Sequence, residues 1–292
     1  MRVLAVTGDD FGHSKPVNRG IAEAYDRGFL TSASLMVAGD AASEAIALAR
    51  SRPALSVGLH LVLADGRAVL PRSEIPTLVD ADGLFLRRPF SAGLRYQFSV
   101  GALYDLRREI RAQLERFQDS GLPLAHVDGH HHLHLHPAVL EILGELAEEF
   151  AIPSIRIPSE ELGLALRLDR RGSAAKILWS AVFALLRRHG RRLLRERGIA
   201  FCDRVYGLLA TGRITEEYLL ALIPRIRADS VEIYCHPAAP LPGELREPAA
   251  AAGSAELAAL LSRRVAEAVE QSGFVLVRGS VERSASAPSN LM

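Results

Sequence analysis

The side chains best suited to chemistry in this chain are the histidines of one short segment. Six of the ten histidines lie between His126 and His136, and five of them, together with Asp128, occupy even positions. Alternate side chains of an extended segment point to the same face, so any strand here would present a row of polar groups. Neutral imidazoles bind zinc and similar divalent ions, and a neighbouring carboxylate can orient a ligating ring. The segment therefore predicts a metal site.

Two other places carry side chains of the same chemical type. Asp9 and Asp10 directly follow a strand-like run, and His60 lies inside the apolar run 57–63. Adjacent acids are often loop caps, and a lone histidine in an apolar run is more often a core residue. A hydrolytic metal usually takes about three protein ligands and leaves positions open for water and substrate. We therefore predict one divalent ion held by Asp10, His60 and one or more histidines of 126–136, with zinc and magnesium as the leading candidates.

A fourth candidate place, again a histidine, closes a later strand-like run. His236 precedes Pro237 at the end of that run, and Arg156 lies in another. His236 would present an ionisable imidazole at the edge where the aspartates lie. Arg156 would either contact substrate or form a structural ion pair.

The elements that must position these residues are short apolar runs alternating with segments of helical period. Two such segments predict helices with buried apolar stripes: one carries Leu103, Leu106, Ile110, Leu114 and Phe117, and the other carries Val139, Leu143, Leu146 and Phe150 behind the helix-starting Pro137. This alternation is typical of βα units that form a mainly parallel sheet. Active sites of α/β barrels lie at the carboxyl ends of the strands, which is where the candidate residues fall. The eight predicted strands are Val3–Thr7, Leu30–Val37, Ser56–Leu63, Leu124–Asp128, Ser154–Pro158, Phe201–Val205, Ser230–His236 and Phe274–Arg278.

We expect a single domain over residues 1–280 and a disordered tail over 281–292. Two stretches, at about 64–100 and 159–200, interrupt the βα rhythm and are predicted to be insertions. Residues 164–200 contain ten lysines and arginines against two acids, with an apolar side. A solvated helix packed on the barrel explains this composition, and so does peripheral contact of 170–197 with an anionic membrane surface.

The overall composition excludes several classes of protein. Lysine plus arginine (35) nearly balance aspartate plus glutamate (34), so no whole-molecule field favours nucleic acid. Cys202 and Cys235 do not form a CxxC or zinc-finger pattern, and the N-terminal residues lack the features of a secretory signal. We therefore expect a cytoplasmic protein, with the membrane contact at the inner surface as a further possibility. The sequence predicts no oligomeric state.

Taken together, four motifs resemble those of the YdjC-like carbohydrate deacetylases. Their order and rough spacing match that family over nearly the whole chain, to about residue 280. The stretch Gly58–Pro76 is most similar to the branch associated with hopanoid biosynthesis, whose implied substrate is an N-acetylglucosaminyl hopanoid lipid. The four motifs are Asp9-Asp10-Phe11-Gly12, Gly58-Leu59-His60-Leu61, His126-Val127-Asp128-Gly129-His130-His131-His132 and Cys235-His236-Pro237.

The resemblance implies an α/β fold, namely a distorted β/α barrel of seven to eight mainly parallel strands related to the polysaccharide deacetylases. It also implies that Asp10, His60 and His130 bind one divalent metal. The implied general base is Asp9, and the implied general acid is His236. The implied substrate is an acetylated amino sugar, either free or lipid-linked.

The remaining polar residues would orient the ligands or contact substrate, namely His126, Asp128, His132 and Arg156. Two alternatives to deacetylation remain compatible with the sequence. One is metal-dependent hydrolysis of another amide or of a phosphoester, because similar ligands serve several reactions. The other is a non-catalytic metal-binding protein, which would bind several ions and would not need Asp9.

Overall fold

Among the residues that the structure describes, seven parallel strands form the central sheet. The structure is a computed structural model that describes residues 1–241 and 248–277, without the side chains of 248–250, so the predicted tail 281–292 lies outside the described residues. The strands are β1 (Arg2–Phe11), β2 (Ser32–Leu35), β3 (Ser56–Leu61), β4 (Val127–Gly129), β5 (Arg204–Tyr206), β6 (Ser230–Cys235) and β7 (Phe274–Leu276).

The strand order is β4-β3-β2-β1-β6-β5, and β7 pairs with the N-terminal part of β1. β1 lies at the centre of the sheet, and its side chains are therefore buried along most of its length. This burial is what its apolar run Val3–Val6 requires. All pairings between these strands are parallel. The carboxyl ends of β1, β3, β4 and β6 therefore lie at the same edge of the sheet.

The predicted strand Ser154–Pro158 forms isolated bridges rather than a regular strand. Ile155 bridges to Val127 of β4, and Ser154 bridges to Ala200 just before β5. Prolines flank this segment at 153 and 158 and have no backbone N–H to donate, which limits regular pairing. The segment nevertheless connects the β4 side of the sheet to the β5 side, so the sheet curls into a distorted barrel, as the family resemblance implies.

Helices surround the sheet, and their inward faces match the predicted apolar stripes. In the helix Val100–Asp119, Leu106, Ile110, Leu114 and Phe117 are buried. Pro137 begins another helix, as expected. The helices are α1 (Lys15–Arg27), α2 (Ala42–Arg50), α3 (Pro89–Phe98), α4 (Val100–Asp119), α5 (Pro137–Leu146), α6 (Leu162–Leu168), α7 (Ser173–Glu196), α8 (Glu216–Leu222), α9 (Pro248–Leu260) and α10 (Arg263–Gln271).

The two predicted insertions contain structure of their own. Residues 64–100 form a loop followed by α3, and the loop places Ile75, Leu78 and Phe85 in the core. Residues 159–200 contain α6 and α7, and α7 packs against α5. Apolar side chains remain exposed on both α3 and α7, including Phe98 (79% exposed) and Leu185 (74%).

Within the described ranges, no helix is both long and apolar enough to cross a bilayer.

Candidate active site

The site begins with an irregularity in β1. The register between β1 and β2 shifts between Gly8 and Phe11, and Asp10 has a φ of 63°. Such irregularities redirect side chains at strand ends and are common beside functional sites. On the neighbouring pair of strands, His60 of β3 stands opposite Asp128 of β4. Local strand geometry thus places two carboxylates and one imidazole at the same edge.

Asp10, His60 and His130 converge at this edge. Oδ1 of Asp10 lies 3.2 Å from Nε2 of His60 and 3.0 Å from Nδ1 of His130. One donor atom from each residue lies within 4.8 Å of the other two. A carboxylate and two imidazoles form a donor set that suits zinc and several other divalent ions. The residues present therefore fit a divalent metal.

Asp128 holds the ring of His60 in place. Its Oδ1 lies 2.7 Å from Nδ1 of His60, which leaves Nε2 of that ring directed at Asp10. Its Oδ2 accepts a hydrogen bond of 2.7 Å from Ser34 and lies 2.7 Å from Nη2 of Arg156 and 3.6 Å from Nε2 of His126. A carboxylate on the second nitrogen of a ligating histidine fixes both the tautomer and the ring orientation.

Charge at the site is strongly perturbed by burial and by neighbouring groups. Burial opposes ionisation of Asp10, but its contacts with His130 and His60 outweigh this and hold its pKa well below the usual range. Burial lowers the pKa of His60, yet the carboxylates of Asp128 and Asp10 raise it overall to about 10. In the absence of metal, an imidazolium at His60 thus compensates part of the buried negative charge.

Asp9 is buried and pairs with Arg156. Nη1 of Arg156 donates to Oδ2 of Asp9 at 2.6 Å, and Nη2 donates to Oδ1 at 2.9 Å. Arg156 also donates to Glu232 at 2.8 Å and lies over the ring of Tyr234, 4.6 Å from its centroid. The arginine, Asp9 and Glu232 are all buried. Arg156 is thus surrounded by Asp9, Asp128 and Glu232, and it fixes the position of Asp9.

His236 lies just beyond β6 and is partly exposed. Its backbone N–H donates to Oε2 of Glu256 at 2.6 Å, and its Nδ1 lies 3.9 Å from the same oxygen. Burial raises the pKa of Glu256. His236 also contributes to lowering the pKa of Asp10, so the two groups interact electrostatically. The imidazole therefore lies at the same edge as the candidate metal ligands, with a buried acid beside it.

The histidine-rich segment does not present one shared face. Only Val127–Gly129 is extended, and His130–Leu135 form a short 3-10 helix in which His131 and His132 have positive φ. The alternation expected for an extended segment therefore stops at Gly129. The histidines reach different partners: His126 contacts Ser34, His132 lies 2.8 Å from the hydroxyl of Tyr234, and His134 lies 2.9 Å from the carbonyl oxygen of Arg156.

Sequence reasoning missed Glu232, Tyr234 and Glu256. Glu232 and Tyr234 occupy alternate positions of the otherwise apolar strand Ser230–Cys235, and a buried acid there requires a partner. That signal was available in the sequence. Glu256 lies in an alanine-rich helix, and only the tertiary structure brings it to His236.

Comparison with known proteins places this geometry in a family. The profile of the YdjC-like protein family matches residues 3–271. A carbohydrate deacetylase of Mus musculus is 35% identical over 249 residues, which cover 81% of this chain and 78% of the relative. A chitooligosaccharide deacetylase of Serratia marcescens is 33% identical over 244 residues, covering 81% of this chain and 82% of the relative.

Other similarities are more local or concern the fold. A carbohydrate deacetylase of Brevibacillus brevis is 46% identical over 155 residues, so the match spans 53% of this chain and only 59% of that relative. A crystal structure from Enterococcus faecalis V583, named "putative cellobiose-phosphate cleavage protein", has a TM-score of 0.71 and 26% identity. That similarity covers 95% of this chain and 97% of the other.

Proposed function

The chain belongs to the YdjC-like protein family, and from this premise we propose that it is a metal-dependent carbohydrate N-deacetylase. The proposed reaction hydrolyses the acetamide of an N-acetylglucosamine-type sugar and yields acetate and a free amine. The names of the relatives from Mus musculus and Serratia marcescens support the reaction class. The observation that carries the proposal is the convergence of Asp10, His60 and His130 at the carboxyl edge of the sheet.

In the proposed mechanism, Asp10, His60 and His130 bind one divalent ion, with zinc and magnesium as leading candidates. When bound, the ion would polarise the acetamide carbonyl and activate water. Asp128 holds Nδ1 of His60, so Nε2 would be the ring nitrogen that binds the ion. The site and its immediate surroundings contain four carboxylates, those of Asp9, Asp10, Asp128 and Glu232. The guanidinium of Arg156 contacts three of them, Asp9, Asp128 and Glu232. A divalent cation would offset the excess of negative charge.

Asp9 is proposed to accept the proton of the attacking water. Arg156 occupies one acceptor position on each of its carboxylate oxygens. A carboxylate offers about four acceptor positions, so each oxygen keeps one for water. The pairing with Arg156 also restricts Asp9 to one orientation, which a positioned base requires.

His236 is proposed to protonate the departing amine. Its ring is partly exposed at the site, and the buried carboxylate of Glu256 lies beside Nδ1. Glu256 also accepts a hydrogen bond of 2.6 Å from the backbone N–H of His236, which fixes the position of the residue that carries the ring. The ring nitrogen that faces away from Glu256 would then be the donor.

The finer substrate proposal is a lipid-linked amino sugar, such as an N-acetylglucosaminyl hopanoid. It is supported by exposed apolar side chains on both sides of the histidine-rich segment. Tyr96 of α3 contacts the ring of His136, and Phe183 of α7 contacts the ring of His132. Near these contacts, Phe98 on α3 and Trp179 on α7 are exposed. The basic helix α7 would place residues 170–197 at an anionic membrane surface.

Product analysis tests the reaction class. Purified protein is incubated with N-acetylglucosamine oligomers, with an N-acetylglucosaminyl lipid and with a phosphorylated disaccharide. We expect one acetate and one free amine for each bond cleaved, and faster release from the lipid. Phosphate release without acetate would instead favour the phosphoester alternative, for which the name of the Enterococcus faecalis structure gives a specific reason.

A further inference from the structure

A pocket of about 270 Å³ lies beside the proposed metal site. Three loops form it, and each follows one of three neighbouring strands: β1, β2 and β3. Its volume is close to the lower end of the range for small-molecule sites. The lining residues with polar side chains are His13, Asp40, Asp65 and Arg67. No role was assigned to any of these four from the sequence.

The pocket reaches the proposed metal ligands through Asp65. Oδ2 of Asp65 lies 3.5 Å from Nε2 of His131. Donor atoms of Asp65, His130 and His131 all lie within 4.8 Å of one another. His130 in turn is 3.0 Å from Asp10. The pocket therefore adjoins the proposed metal site at Asp65.

Two of the three loops that form the pocket are fixed to each other. The N–H of Ala41 donates to the carbonyl of Gly12 at 2.9 Å, and the N–H of Met36 donates to the carbonyl of Phe11 at 2.7 Å. A Cβ at Gly39 would approach the carbonyl oxygen of Gly12 to 2.3 Å. The loops after β1 and β2 thus pack against each other without room for a side chain, and the pocket wall is formed in advance of binding.

The lining combines polar and apolar groups as a sugar ring requires. Met36, Val62 and Leu84 provide apolar surface, against which the C–H face of a pyranose can pack. The exposed side of the pocket carries the carboxylates of Asp40 and Asp65. Carboxylates accept hydrogen bonds from hydroxyl groups, and such charge-assisted bonds are stronger than neutral ones.

We infer that this pocket binds the pyranose ring that carries the acetamide, with Asp65 accepting a hydrogen bond from a ring hydroxyl. The inference rests on the proposed deacetylase function and names the part of the substrate that this chain recognises. It applies equally to a free oligosaccharide and to the sugar of a lipid-linked substrate. Asp65 is here a substrate-binding residue and takes no part in the bond cleavage.

Steady-state kinetics with the N-acetylglucosamine disaccharide test the inference. The variants are Asp65→Asn and Ala38→Phe, the second of which fills the pocket from another wall. We expect each to raise KM about fivefold or more and to change kcat less than about twofold, because binding to the ring is lost equally in ground and transition states. Asp119→Asn is the matched control, since Asp119 is an exposed aspartate at the end of α4.

Measurements of metal content and of disaccharide binding distinguish loss of sugar binding from loss of a metal ion. We expect both variants to keep the wild-type number of metal ions per chain and to bind the glucosamine disaccharide more weakly in calorimetry. A KM equal to that of Asp119→Asn would overturn the inference. Loss of one ion per chain in Asp65→Asn would also overturn it, because Asp65 and His131 would then hold a second cation.

The test still decides the inference if the proposed function fails or if one variant does not fold. If the wild-type protein released no acetate, the proposed function would fail, and disaccharide binding by the wild type and by Ala38→Phe would still decide whether the pocket holds a sugar. If Asp65→Asn did not fold, as judged by circular dichroism, Ala38→Phe would decide the matter alone.

Discussion

The carboxylate of Asp128 contacts four side chains at once: His60, Ser34, Arg156 and His126. It is fully buried, and burial opposes its ionisation. The neighbouring charges of Arg156 and His60 nevertheless hold its pKa well below the usual range. Asp128 is therefore a buried anion whose main effect on the site is to orient the ring of His60.

Replacement of Asp128 by asparagine should weaken metal binding. An amide in place of the carboxylate removes the negative charge that holds Nδ1 of His60, and loss of such partners typically costs about 10–100-fold in metal affinity. Competition with a chromogenic chelator measures the affinity. Asp119→Asn serves again as the control. An unchanged affinity in a folded Asp128→Asn protein would mean that His60 needs no orienting partner or is not a ligand.

Metal binding should also release a proton. The pKa of His60 is raised to about 10 in the metal-free protein, so its ring is protonated at pH 7. A metal binds only the neutral imidazole. Asp10 contributes no proton, because its pKa is lowered and it is already ionised. The apparent metal affinity should therefore rise with pH throughout the range from pH 6 to 9.

Calorimetry in buffers of different ionisation enthalpy measures this release. We expect the observed enthalpy at pH 7 to vary with buffer by about one proton for each ion bound. An enthalpy independent of the buffer would show that His60 is neutral before the metal arrives.

At the residue scale, the sequence was a better guide to which side chains belong to the site than to which residues each of them contacts. Asp10, His60 and His130 do meet, because each lies at the carboxyl end of a strand or just beyond it. The contact between Asp9 and Arg156 joins residues 147 positions apart. Periodicity carries no information on such a pair, although a buried acid and a buried arginine each require a partner.

At the scale of elements, α1 packs directly on the segment that carries His236. A Cβ at Gly20 would lie 2.6 Å from Cα of Ala238 and 2.7 Å from the carbonyl oxygen of Pro237. Both neighbours are backbone atoms and cannot rotate away. The absence of a side chain at Gly20 thus allows the helix to approach the loop that follows β6.

The substitution Gly20→Ala should therefore displace this loop and His236 with it. We expect a loss of about 1–3 kcal/mol in the free energy of unfolding, as for other overpacked sites, and a reduced kcat. Urea unfolding and steady-state kinetics measure the two effects. Gly163→Ala in α6 is the matched control, because a Cβ there meets no atom within 4 Å. Equal behaviour of the two variants would contradict the packing argument.

The predicted elements agree with the structure where a strong apolar period or a capping residue marks them. Helix α5 begins at Pro137, and the buried stripe of α4 follows the predicted spacing. The predictions were wrong where local geometry departs from regular structure. Ser154–Pro158 forms bridges instead of a strand, and the positive φ of His131 and His132 ends the extended segment after Gly129. Such departures depend on tertiary contacts.

At the scale of the whole molecule, the exposed apolar side chains lie on helices that contact the histidine-rich segment of the site. Helices α3 and α7 both contact the segment His130–Leu135, and both carry exposed apolar side chains. The chain as a whole is nearly neutral, with 35 basic and 34 acidic residues. Its basic residues are unevenly distributed, and α7 has many of them. The proposal of a lipid-linked substrate rests on this arrangement.

The most direct test of the central claim is acetate release by protein that has been stripped of metal and then reloaded with single divalent ions. We predict that the stripped protein is inactive and that one ion per chain restores release from N-acetylglucosamine substrates. Asp10→Asn should bind metal weakly and stay inactive after reloading, whereas Asp119→Asn should behave as the wild type. Full acetate release by the stripped protein, or by Asp10→Asn without bound metal, would contradict the account.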